Sequence, residues 1–182
     1  MMTVIDLQPT LHGQSITVRP LVPEDFEALY EAASDPAVWE QHPDSTRYQR
    51  DVFQTRFFEG AIACGSAFAV VEKESGRIIG SSRFYEWDAE TKEIAIGYTF
   101  IACDHWGGAT NGELKALMLG HAFNLAERVW FHVGETNMRS RRAVEKLGAV
   151  LSHSEDRELD GTPFVQLYYR LDPADYRAGV GT

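Results

Sequence analysis

The sequence predicts a mixed α/β fold of the α+β kind, with a central, mostly antiparallel sheet and helices on both faces. Three observations predict it. Hairpin patterns, two apolar or alternating runs around a short polar turn, occur before the middle of the chain and again near its end. In mid-chain an alternating run passes through a glycine-rich turn into a helical run, as a crossover does. The element order, β-α-α-β-β-β-α-β-α-β-β, then mixes the two kinds of connection in one sheet.

The first strand runs from Ser15 to Arg19 and is ended by Pro20. Pro23-Glu24-Asp25 opens a helix, with proline in the first turn and acids near the positive end of the dipole. Phe26, Leu29, Tyr30 and Ala33 form its buried stripe, and Asp35-Pro36 breaks it. A loop or short turn from Val38 to Pro43 carries Trp39 and His42. A second helix follows from Arg50 to Cys64, with Phe53, Phe57, Phe58 and Ile62 on it.

Ala67 to Val71 and Arg77 to Tyr85 form a hairpin about Glu74-Ser75-Gly76. Asp88 to Thr91 turns the chain into the central strand. There Ile94, Ile96, Tyr98 and Phe100 fall on one side, and Glu93, Ala95, Gly97 and Thr99 on the other. Trp106 to Gly112 is the glycine-rich turn. Leu114, Leu117, Met118, His121, Ala122 and Leu125 then repeat at helical spacing. Arg128 to Val133 is a short buried strand. Asn137 precedes a helix through Leu147, which Gly148 stops. Ala149 to Leu159 and Pro163 to Leu171 make the last hairpin, joined through Asp160-Gly161. The tail from Asp172 has no pattern and is expected to fray. No linker separates two domains, so residues 1–182 read as one domain with its core at about 15–171.

The 182 residues and 44% hydrophobic content suffice for one packed core. A formal charge of −10 argues against a nucleic-acid binder and favours a cationic or neutral partner. Cys64 and Cys103 fit neither a metal motif nor a disulfide framework, and the six histidines show no ligand spacing, so no metal is expected. The N-terminus lacks the pattern of a signal peptide and no stretch is long enough for a membrane span. A cytoplasmic protein without membrane partners is the expectation. Exposed sheet edges would suit a homodimer.

Small residues between a strand and a helix let the backbone approach a ligand, and free N–H groups at the helix start favour a phosphate. The turn is neither a P-loop nor a dinucleotide fingerprint, since neither spacing is present. Thr110 and Glu113 could instead form a capping box that competes for the same donors.

Three blocks carry a family resemblance. They are Thr17-Val18-Arg19-Pro20-Leu21 with Glu24-Asp25 and Ser34-Asp35-Pro36; Ile96-Gly97-Tyr98 with Trp106 to Glu113; and Asn137-Met138-Arg139-Ser140 with Glu145 to Ala149. In order and spacing the chain resembles the GCN5-related N-acetyltransferases (GNAT), in the branch of ribosomal-protein alanine acetyltransferases. The resemblance implies acetyl-coenzyme A as co-substrate and a primary amine, protein N-terminus or small molecule, as acceptor, acetylated by direct attack. It implies a splay between the fourth and fifth predicted strands, where the pantetheine arm would complete open backbone pairing. Phe100, Ile101, Ala102 and Trp106 would border that arm. Gly107, Gly108, Ala109 and Thr110 would hold the pyrophosphate. Asn137 and Ser140 would lie near the sulfur, Ser140 as a donor to the thiolate, though Asn137 also reads as an N-cap. Arg142, with Arg139 and Arg141, would reach the ribose phosphate or form a charged helix face. Glu93 and Glu135 are candidate bases that also read as strand-end acids, with Glu155 and Glu158 as further candidates. Trp39, His42, Tyr85 and Trp87, with Phe84, would line the acceptor pocket or serve as core, and Glu86 and Asp88 would draw a cation.

Two departures stand out. Asp104 occupies a position near the phosphate where relatives usually carry Gln or Arg. Val144 stands where many relatives carry a tyrosine acid. They support an alternative, a non-catalytic acyl-coenzyme A-binding or regulatory module.

Overall fold

The computed structural model describes residues 5–178. One eight-stranded sheet organises them, in the order β1-β2-β3-β4-β5-β6-β8-β7. The strands are β1 (Leu11–His12), β2 (Ile16–Pro20), β3 (Ala67–Glu72), β4 (Ile78–Asp88), β5 (Glu93–Ile101), β6 (Arg128–Gly134), β7 (Val150–Leu159) and β8 (Thr162–Leu171). Only β5 and β6 are parallel; every other neighbouring pair is antiparallel. The sequence reading lacks β1, whose two residues are too few to show a period. The fourth and fifth predicted strands are therefore β5 and β6.

Helices cover both faces. On one lie α1 (Phe26–Ala33) and a helix in which α2 (Arg50–Phe53) runs through a π-helical segment (Gln54–Phe58) into α3 (Glu59–Ala63). On the other lie α4 (Thr110–Ala122) and α5 (Met138–Lys146). Strand alternation divides the core between them. Phe68 and Val70 of β3 join Leu114, Met118 and Val144 on the α4 side. Ala67 and Ala69, between them in sequence, face Phe53, Phe57 and Phe58. These small strand residues leave space for the bulky rings of α2 and α3. The second cluster contains no residue of β6, β7 or β8. Beyond β5, the apolar packing of α1 to α3 does not extend across that face among the described residues, though Arg56 reaches Asp160 at the β7–β8 turn.

Asp25 ties α1 to the sheet, since its carboxylate takes both guanidinium nitrogens of Arg19 at 2.8 Å. Asp160 and Gly161 both have positive φ, at 49° and 79°, as a two-residue hairpin turn requires. Gly148 ends α5 at φ 97°, and a Cβ there would lie 2.0 Å from the Asp175 carbonyl oxygen. The C-terminal segment is therefore docked, against the expectation of fraying. Asp172 takes the Arg128 guanidinium at 2.7 and 3.2 Å, and the Arg177 N–H donates to Leu147 at 2.9 Å. Residues 179–182 lie outside the described part.

Candidate active site

A wedge between β5 and β6 forms the centre of the site. These strands pair only at Glu93–Arg128, Ile94–Val129 and Ala95–Trp130. Beyond that, β5 stays with β4 out to Ile101, and β6 stays with β8 out to Gly134. Backbone groups on the two facing edges therefore lack ladder partners and suit an extended ligand that carries amides.

A β-bulge shapes the β5 side. Arg83 pairs with Gly97 and Ser81 with Phe100, so three steps along β5 match two along β4. Tyr98 carries the irregularity, with φ 51°. The extra residue reverses the phase of the strand. Ile94 and Ile96 face the α4 side, but Phe100 faces α1–α3 and Ile101 returns to the α4 side. The expected single apolar row of Ile94, Ile96, Tyr98 and Phe100 is thus broken, and Tyr98 is 43% exposed.

At the open end of the wedge the chain makes a short turn (Cys103–His105) and enters α4. The Trp106 indole N–H donates to the Ile101 carbonyl at 2.8 Å, fixing the turn to the end of β5. Gly107 has φ 73°, and neither it nor Gly108 or Gly112 would bring a Cβ within 4 Å of another group. The outer side of the turn is open. Ala109 is the N-cap and no side chain caps α4 among the described residues. The capping box does not form. Glu113 instead reaches the residue before β2, where Oε1 accepts the Ser15 N–H at 2.8 Å and Oε2 accepts the Ser15 hydroxyl. The first-turn amides of α4 thus remain available to an anion.

Asp104 does not oppose an anion there. It pairs with Arg77 at 2.6 Å and with His105, whose other ring nitrogen meets Glu72 at 2.8 Å. Arg77 and then His105 hold the Asp104 carboxyl below its ordinary range. Glu72, aided by Asp104, holds the His105 imidazole above its own.

Asn137 does cap α5, with its Oδ1 accepting the Ser140 N–H at 3.2 Å. The Ser140 hydroxyl makes no hydrogen bond to the described residues, and neither does the guanidinium of the exposed Arg142. Arg141 is structural, donating to the Tyr169 hydroxyl and the Glu135 carbonyl. The Arg139 guanidinium lies 3.9 Å from the centre of the Trp106 ring, across the open end of the wedge. The Arg139 backbone N–H donates to Gln41 Oε1 at 3.0 Å. Val144 is buried in the core, so no acid stands at that position.

The two acids first considered as bases separate. Glu135 follows β6 at the open end and is exposed. Glu93 lies at the closed end, where it accepts from Trp130 at 2.8 Å and from Arg128 at 3.3 Å. Six residues of strand, about 20 Å, separate it from Thr99.

Of the acceptor-pocket residues, only Tyr85 reaches the open face. Trp39 is 3% exposed and donates to the Ala33 carbonyl, so it belongs to the core. His42 accepts the Asp44 N–H through Nδ1; burial, then Arg47, push its pKa down to about 3. Phe84 is fully buried, and Trp87 packs on the α4-side core. Residues 85 and 87 would share a face in a regular strand. An irregularity between Tyr85 and Asp88, with Glu86 at φ 52°, parts them.

Sequence reasoning missed Lys115 and, apart from Tyr85, the members of an aromatic row. Lys115 of α4 is 5% exposed, and its Nζ donates to Thr99 Oγ1 at 3.0 Å. It lies 5.5 Å from the Phe131 ring of β6, so it bridges the two sides of the wedge, with no carboxylate paired to it among the described residues. Burial alone lowers its pKa to about 8. The aromatic row lies on the sheet face away from α4. Tyr98 and Tyr85 lie 5.3 Å apart, Tyr85 and His132 5.3 Å, and His132 and Tyr168 4.5 Å. Its acidic rim is Glu86, expected from the sequence to draw a cation, and Glu155, a further candidate base there. A signal for the row existed in the alternation: Val129, Phe131 and Val133 are core, which puts His132 on the opposite face.

A wedge of this kind beside an uncapped helix start defines a class. An acetyltransferase (GNAT) domain model matches residues 15–150. The chain belongs to that family. The N-acetyltransferase p20 of Bacillus licheniformis is 27% identical over 125 residues, 63% of this chain and 66% of the relative. A GCN5-related N-acetyltransferase from Brucella melitensis superposes with TM-score 0.81 at 18% identity, covering 92% of this chain and 80% of that one. The microcin C7 self-immunity acetyltransferase MccE, solved with acetyl-CoA and AMP, gives TM-score 0.73 at 15% identity, over 87% of this chain and 93% of that one. Among the described residues no helix is long and apolar enough to cross a membrane.

Proposed function

We propose that this protein transfers the acetyl group of acetyl-CoA to a primary amine by direct attack. The observation that carries the reading is the wedge, paired at three positions and then open, which leads to the uncapped start of α4. The donor fits the residues present. Its pantetheine amides match the unpaired strand edges, and its pyrophosphate matches the amides from Gly107 to Thr110. Phe100 to Ala102 and Trp106 border the arm. Arg142, unpaired among the described residues, serves the ribose phosphate. When bound, acetyl-CoA supplies an activated acyl carbon. Backbone N–H groups near the Tyr98 bulge polarise the thioester oxygen, and the Ser140 hydroxyl donates to the departing sulfur.

Lys115 adds a charge on the α4 side of the wedge, with no carboxylate paired to it among the described residues. The pairing of Asp104 with Arg77 removes one ground for a module that binds without turnover. Assignment to the ribosomal-protein alanine acetyltransferase branch rests on the three sequence blocks. Titration of the protein with acetyl-CoA tests binding, since a ligand at about 100 times its Kd adds roughly 2.7 kcal/mol of stability. Thiol release with spermidine, tyramine and peptides starting with Ala or Ser tests transfer. Binding without release from any of these amines would leave the module reading instead.

A further inference from the structure

We infer that His132 is the proton acceptor for the incoming amine, which enters as a primary ammonium ion over the face formed by Tyr85, Tyr98 and Tyr168. This rests on the acetyl-transfer reading above.

Place comes first. The β5–β6 register ends at Ala95–Trp130, and its continuation sets His132 level with Gly97, where the strands part. Val129, Phe131 and Val133 point into the α4-side core, so His132 projects from the other face. Among the described residues, the apolar core that packs α1 to α3 on that face includes no residue of β6, β7 or β8. A group there meets the wedge from the side opposite α4.

The surroundings suit an ammonium ion. Three tyrosines and the imidazole line the row, and tyrosine faces attract cations. Glu86 Oε2 lies 3.8 Å from His132 Nε2, and Glu155 accepts the Tyr168 hydroxyl at 2.7 Å. Opposing charge comes from Arg157, which donates to the Tyr168 hydroxyl, and from Arg83, 3.8 Å behind the Tyr98 ring. Arg83 is 6% exposed and Glu86 largely exposed, so the acids face the incoming cation more directly. His153 stacks on the Tyr168 ring at 4.4 Å.

The imidazole is free to take a proton. Neither ring nitrogen hydrogen-bonds to a described residue, and the side chain keeps 12% of its surface exposed. Burial of the ring holds its pKa below the ordinary value, with Glu86 offsetting this in part. The ring is then neutral at pH 7. One ammonium proton passes to it. The nitrogen lone pair forms the C–N bond while the C–S bond breaks, and its electron pair goes to sulfur. A second nitrogen proton leaves with the thiol, and His132 returns its proton to water.

The test is His132→Gln, assayed by thiol release with spermidine, tyramine and peptides starting with Ala or Ser, alongside CoA binding. The expected result is a fall in kcat/KM of about 100-fold at pH 7 and loss of the acid limb of its pH profile. CoA affinity should stay within twofold. The ionisation of the amine itself is common to both proteins. Full activity with an unchanged acid limb would overturn the assignment of His132 alone. Wild-type protein that binds CoA but acetylates none of these amines would overturn the transfer reading and this assignment together. Should His132→Gln lose CoA binding along with its fold, His132→Asn is read in the same way.

Discussion

Two helices begin beside the wedge, and they begin differently. Asn137 satisfies the first turn of α5 through its side chain. The first turn of α4 has no such partner among the described residues, and the residue best placed to supply one, Glu113, reaches instead to Ser15, just before β2. Both starts are formally alike, each with backbone donors that a helix cannot pair internally. One is closed by a side chain for stability. The other has no side-chain cap among the described residues, as the proposed anion site requires, and Glu113 is fastened instead to the start of β2. The difference separates a structural helix start from one suited to a ligand.

The contrast breaks most directly at Gly107. Its φ of 73° disfavours any side chain, and a carboxylate there would face the phosphate. Gly107→Glu should weaken CoA binding by at least 1000-fold in a folded protein, measured by calorimetry. Unchanged affinity would remove the α4 start from the binding site.

Lys115 sharpens it further, because the cation sits one turn into α4. Its folded pKa of about 8 lies below its unfolded value of 10.5. Between these values the unfolded chain holds more proton, so stability rises with pH across that window. The penalty is fully present below pH 8. The gain from pH 8 to pH 10 should be about 2 kcal/mol from this residue. In Lys115→Met the increment should vanish, as denaturant unfolding at the two pH values would report. An equal rise in the variant would show that the lysine is not the source.

Sequence carried the skeleton further than the site. Periods of two and of three to four placed the strands and helices, and the Asp160-Gly161 and Gly148 turns rest on backbone angles that those residues adopt readily. The errors concentrate where a strand gains a residue. Bulges at Tyr98 and Glu86 each reverse which side the following residues face. Phe100 and Trp87 therefore fall on the faces opposite to those a regular period assigns. No local pattern announces a bulge without its partner strand. Lys115 was illegible for a related reason: a lysine at helical spacing reads as solvent-facing until the sheet closes over it. His132 was readable in principle from the alternation around it, but its neighbours come from β4 and β8, distant in sequence.

The smallest effects divide the two helix starts most cleanly. Asn137→Ala should cost about 1 kcal/mol of stability, the usual value of a lost N-cap, and Asn137→Ser should recover most of it. A serine variant of full stability but poor turnover would show that the carboxamide also serves the reaction. Thr110→Ala is the counterpart on α4. A capping threonine would be missed by a similar amount, whereas Thr110 caps nothing and Ala is the better helix former. Its stability should therefore hold or rise by up to about 0.5 kcal/mol in denaturant melts. A loss near 1 kcal/mol would mean that Thr110 closes the helix in solution, and the amides assigned to phosphate would then be occupied.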